Sequence, residues 1–160
     1  MNDKVLSGHL QHHWTGASGG TAMFRRVART HPDRATAQEL STMSEEVAAD
    51  RRSLRQIMKS VGVQPSRLGA LTGKVAERLG RLKPNGSLIR RSPLTDVIEL
   101  EALRAAVAAK LSGWEVLRTL ADRDDRLDAA QLDELQARAK DQQERLAALH
   151  LRLAAERVRG

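Results

Sequence analysis

No cysteine and no tyrosine occur in the 160 residues, and the aromatic set is one phenylalanine and two tryptophans. Without cysteine there is no disulfide, no thiolate nucleophile and no cysteine-held zinc or iron–sulfur site. Runs of β-branched residues are also missing. Leucine, alanine and valine supply the apolar content, and with arginine, glutamate and glutamine they make a helix-forming composition. The expected class is all-α. No apolar run reaches the roughly 18 residues a membrane span needs, and the opening MNDKVLSGHLQHHW has no apolar core of the signal-peptide kind. A cytoplasmic location is the expectation, and the length suits a single domain with a real core.

The net charge of +7 is unevenly spread. Residues 51–91 carry eleven Lys and Arg against one acid, Glu77, while the flanking stretches are slightly acidic. Arg51, Arg52 and Arg55 fall on one predicted helix, and Lys74, Arg78 and Arg81 share one side of the next. Together they form a candidate face for an acidic protein partner or for weak, sequence-independent contact with a polyanion. A solvated surface explains the same residues. With no aromatic interleaving, base stacking is not expected.

Stop and start signals divide the chain into four long helices and one shorter one. Helix A is predicted over 4–29, and His31-Pro32-Asp33 breaks it, with Asp33 as N-cap. Helix B runs over 34–61 and meets Gly62 as a C-terminal stop. A crossover helix is predicted over 66–82, where Leu68, Leu71, Val75, Leu79 and Leu82 recur at helical spacing. Ser92-Pro93 opens helix C, 93–121. Asp128 with Gln131 three residues on suggests a capping box for helix D, 129–158. Four long helices with a long connection between the second and third predict a four-helix bundle with a crossover.

Each helix has an apolar seam at alternating three- and four-residue spacing, and each seam is interrupted once by a polar residue. Helix A reads Leu6, Leu10, His13, Ala17, Gly20, Phe24, Val27, and helix B reads Leu40, Met43, Val47, Asp50, Leu54, Ile57, Val61. Helix C reads Leu100, Leu103, Val107, Lys110, Trp114, Leu117, Ala121, and helix D reads Leu132, Leu135, Ala139, Gln142, Leu146, Leu149, Leu153. If A and D run together and B and C run opposite, His13, Asp50, Lys110 and Gln142 fall within roughly 6 Å of one level at ~1.5 Å per residue. A shared buried polar layer follows, in which Asp50 pairs with Lys110 or His13. His9 and Trp114 are its expected neighbours, Trp114 as a wall or stacked over the Lys110 cation, although Leu111 competes with Lys110 for the inward position.

Two further features concern the same helix. His9, His12 and His13 lie within one turn, and His9 and His13 at i, i+4 have metal-ligand spacing, but a ligand from another helix is needed to complete a site. The small-residue run Gly16 to Gly20 suggests close approach of a neighbouring helix, since three glycines cost about 1 kcal/mol each in helix propensity.

The helix order and crossover resemble the ferritin-like superfamily, and within it small bacterial bundle proteins that lack the di-iron motif. Di-iron members place Glu on two helices and Glu-x-x-His on the other two. Here Glu45 and Glu46 are followed three residues later by Ala48 and Ala49, Glu144 by Ala147, and Glu-x-x-His is absent. The resemblance therefore implies the fold without a metal centre, and no cofactor or bound metal is expected. Two functions stay open. One is a non-catalytic helical scaffold or interaction protein, as a homo-oligomer or bound to an acidic partner. The other is an enzyme or a small-ligand- or metal-binding protein using the layer around His13 and Asp50, with no Gly-rich phosphate loop or Ser-His-Asp arrangement to support catalysis.

Overall fold

The computed structural model describes residues 2–66 and 92–159, and among these it holds four α-helices and no strand. They are α1 (Asp3–Thr30), α2 (Arg34–Ser60), α3 (Pro93–Ala121) and α4 (Ala129–Arg159). The helix predicted over 66–82, with Lys74, Arg78 and Arg81, lies outside the described residues apart from Ser66.

The helix ends form where local chemistry requires them. Asn2 caps α1 by accepting from the Val5 N–H at 3.2 Å. Asp33 Oδ2 accepts from the Thr36 N–H at 2.7 Å and from the Thr36 hydroxyl at 2.6 Å, satisfying an orphan donor of the first turn of α2. Gly62 (φ 76°) ends α2 in the left-handed conformation that glycine adopts without steric cost. The Val63 N–H then bonds the Met58 carbonyl at 2.8 Å and the Gly62 N–H the Lys59 carbonyl at 3.1 Å, which is the Schellman pattern. Ser92 and Asp128 cap α3 and α4 through Leu94 and Gln131.

Inter-helix contacts give the helix directions. Arg26 reaches Glu99 at 2.6 Å while His13 lies on Gly113, so α1 and α3 are antiparallel. Arg152 with Thr36, Arg145 with Glu39 and Arg138 with Asp50 make α2 and α4 antiparallel. Arg157 with Asp96, Arg104 with His150 and Arg118 with Asp133 do the same for α3 and α4. As α1 and α2 form a hairpin about His31–Asp33, α2 and α3 point the same way. Beyond α2 the chain turns back along α1, where the Gln11 side chain donates to the Gln64 carbonyl at 2.6 Å and accepts from the Ser66 N–H at 3.0 Å.

The core is built from the predicted seams. Every seam position of α2 is buried, and Leu100, Leu103, Val107, Trp114 and Leu117 of α3 and Leu132, Leu135, Ala139, Leu146 and Leu153 of α4 join Leu6, Leu10, Phe24 and Val27 of α1. The seam of α1 departs at Gly20, whose neighbour Thr21 is buried instead, its hydroxyl satisfied by the Ala17 carbonyl at 2.7 Å.

The glycine run corrects an expectation. A Cβ built on Gly16, Gly19 or Gly20 meets no atom within 4 Å, so no described helix approaches closely there. Among the described glycines the one close approach is at Gly113 on α3. With space available and a helical backbone, Gly16→Ala and Gly19→Ala should each raise the unfolding free energy by about 0.5–1 kcal/mol. Urea unfolding checks this, and a loss of similar size would restore the close-approach reading.

Candidate functional site

Three helices bring the polar seam residues together. The Lys110 ammonium on α3 donates to Asp50 Oδ2 on α2 at 2.5 Å and to Gln142 Oε1 on α4. Asp50 Oδ1 accepts from Arg138 Nε at 2.7 Å, so both carboxylate oxygens are engaged. Gln142 Nε2 donates to Glu46 Oε2 at 2.9 Å, and Glu46 accepts in turn from Arg145, which also holds Glu39 at 2.6 Å. Asp50 and Gln142 are fully buried. Burial pushes the Lys110 ammonium below its ordinary value, and the facing Asp50 carboxylate opposes the shift.

The participants missed in the sequence lie one turn from those found. Glu46 precedes Asp50 by four residues, Arg138 precedes Gln142 by four, and Arg145 follows Gln142 by three, so extending each polar position by one turn along its helix finds them. Two acids near the start of α3, Asp96 and Glu99, are also buried and were not anticipated; Arg157 and Arg26 reach them at 3.0 and 2.6 Å.

His13 stands beside this network rather than within it. Its ring packs on Gly113, where an added Cβ would come within 2.7 Å of His13 Cε1, so the small residue is required on α3. The His9 and His13 ring centroids are 4.5 Å apart, edge to face, and His12 reaches His13 at 5.2 Å. Burial, reinforced by His9 and His12, pushes His13 down to about 4 from an ordinary 6.5. Burial lowers His9 too, against a hydrogen bond to the Gly113 backbone. Among the described residues no three His, Asp or Glu side chains gather as a metal ion needs.

A cavity of about 730 Å³ runs along α1 and is bounded by α2 and α3. Its walls are mostly apolar, with the face of α1 carrying Gly16, Gly19 and Gly20 as one side, and His13, Asp50, Lys110 and Trp114 also border it. Three buried nitrogens on its lining residues have no hydrogen-bond partner among the described residues: His9 Nε2, Arg51 Nε and Trp114 Nε1. The arginine and indole N–H groups can only donate, and leaving such a donor buried and unmade costs about 1–3 kcal/mol.

Trp114 stands beside Lys110 in the cavity wall and is not stacked over its cation. The cation–π pair is Arg51 over Trp14, at 4.2 Å, not Lys110 over Trp114. Arg51 lines the cavity, while its neighbours Arg52 and Arg55 are exposed. Burial, then the positive charges of Arg25 and Arg55, lower the Arg51 pKa from its ordinary value.

Two outcomes test this geometry. Asp50→Ala leaves Lys110 buried without its counter-charge and should cost about 3–5 kcal/mol in urea unfolding. Asp50→Leu combined with Lys110→Met should cost much less, since both desolvation penalties vanish and the partly exposed Arg138 can turn to water. For His13 the unfolded chain binds the proton more tightly, so stability is complete above pH 6.5 and falls as pH drops toward 4. The thermal midpoint of His13→Gln should fall less steeply than wild type across that window, and NMR should place the His13 ring titration near 4.

No family model, no curated protein and no solved structure matches this chain, so its function has to come from the chemistry of the cavity and the network beside it.

Proposed function

We propose that this chain is a non-catalytic, ferritin-like helical bundle that binds a small molecule with an apolar body in the cavity along α1. The observation that carries the reading is the cavity itself. Its size falls in the range of small-molecule sites, and it combines mostly apolar walls with a few polar groups, as such sites do. The charged network has a structural role: each oxygen of Asp50 and the ammonium of Lys110 already has its partner, and neutralising both together is the least disruptive change.

Helix direction supports the ferritin-like part. Because α2 and α3 run the same way, the connection between them has to cover the length of the bundle, and it sets out along α1 through Gln64 and Ser66. In this reading the contact of Lys110, Asp50 and Gln142 stands in place of a metal centre. A cation there would meet the Lys110 charge.

N-phenyl-1-naphthylamine, a neutral dye that brightens in apolar surroundings, should bind saturably with one site per chain. Gly19→Leu and Gly20→Leu project side chains into the cavity from positions where the backbone leaves room. Each should weaken dye binding at least tenfold while leaving helicity and thermal midpoint unchanged or higher, because leucine is the better helix former. Absent saturable binding, or binding indifferent to both substitutions, would overturn the reading and leave a scaffold acting through its surface.

A further inference from the structure

We infer that the occupant of the α1 cavity is an amphiphile with one elongated apolar chain and a carboxylate head, the head placed at the level of Arg51 and Trp114. The inference rests on the ligand-binding reading of the cavity and adds the chemical class of the ligand.

Charge points to the head group. Arg51 is a cation set partly out of water, its charged neighbours are Arg25 and Arg55, and among the described residues no carboxylate pairs with it. Its Nε–H is buried without an acceptor among the described residues. The second such donor, Trp114 Nε1–H, is on α3 across the same cavity. Arg51 follows Asp50 directly, Trp114 lies one turn beyond Lys110, and Asp50 and Lys110 touch, so along these parallel helices the two donors lie on the same side of that contact, within roughly one turn of each other at ~1.5 Å per residue. A carboxylate supplies what both lack: acceptor oxygens and a negative charge. The protein's own carboxylate at this level cannot serve, because Asp50 is engaged on both oxygens. His9 Nε2 is the third unpartnered atom; with the ring hydrogen bonded to the Gly113 backbone, it is an acceptor in the neutral imidazole and has no part in holding an anion.

Shape points to the chain. From His9 to Phe24 the lining follows α1 over fifteen residue steps, or roughly 22 Å at 1.5 Å per residue. Gly16, Gly19 and Gly20 leave about one turn of this side without side chains, between the imidazoles of His9 and His13 and the apolar Met23 and Phe24, and this gives the elongated lining an open middle. An extended alkyl chain fits such a lining better than a compact ring system does. A cationic or neutral head would leave the Arg51 charge with only the Trp14 ring against it, and a strongly hydrated multivalent head would lose its water to mostly apolar walls.

The test uses decanoate, decan-1-ol and decyltrimethylammonium, which share a chain and differ in the head, each competing against N-phenyl-1-naphthylamine on the full chain. Decanoate should bind about tenfold or more tightly than decan-1-ol, the size of a charge-assisted hydrogen bond, and the ammonium should bind most weakly. In Arg51→Met the decanoate-to-decanol ratio should collapse toward one, and in Trp114→Phe it should shrink, with Arg52→Met, on the exposed neighbour, keeping it. Equal affinities for the three heads, a ratio that survives both Arg51→Met and Trp114→Phe, or no competition from any of them while the dye still binds, would overturn the inference and leave the cavity reading standing. Failure of the dye itself to bind would overturn both.

Discussion

A lysine ammonium among leucine side chains has to find its counter-charge inside the protein, and that requirement organises the centre of this bundle. Lys110 reaches inward from α3, and two other helices meet it, α2 with Asp50 and α4 with Gln142. The contact is intolerant of axial slippage, because a shift of one turn carries a helix about 5.4 Å and takes the partner out of hydrogen-bond reach. Leucine seams alone are nearly indifferent to such a shift. The buried pair thereby sets the register of three helices, and the arginines of α4 extend it to the surface, where Arg138 and Arg145 meet Asp50, Glu46 and Glu39.

The first helix stands outside that arrangement. No charged side chain of α1 enters the network, and its inner face passes from leucine through imidazole and glycine to Thr21, Phe24 and Val27. Burial keeps His13 neutral, so its ring packs as an apolar body, and Gly113 makes room for it on α3. Where the glycines follow, the helix presents backbone instead of side chains, and the cavity lies along that strip. One region is thus closely paired, while the region beside it carries buried donors with no acceptor among the described residues. Binding sites commonly have this division, with a preorganised frame next to unfilled polar capacity.

Much of the fold was legible because periodicity and capping are local. Pro93 behind Ser92 set the start of α3, and Asp33 and Gly62 bound α2 within one residue of where the sequence put them. The polar interruptions at Asp50, Lys110 and Gln142 were legible for a related reason: a polar residue on an otherwise apolar stripe needs a partner, and counting along four helices showed where the partners could meet. Arg138 and Glu46 were harder to see. They sit on the flanks of their helices, where a charged residue usually faces water, and only the packing of α2 against α4 turned them inward.

What the sequence by itself determined about this protein is its helices, their ends, their buried faces and the level of the polar layer, since these follow from spacing along one chain. The tertiary structure decided which polar groups remain unpaired. His13 was expected to join Asp50 but stacks on Gly113; Arg51 was expected on a basic surface but lies over Trp14 and lines the cavity; the glycine run was expected to bring helices together but leaves open space. Each of these depends on distances between side chains far apart in sequence, and on how far neighbouring helices stand from one another. A helical period specifies the direction in which a residue points along its own helix. It does not specify whether another helix fills the space in front of it.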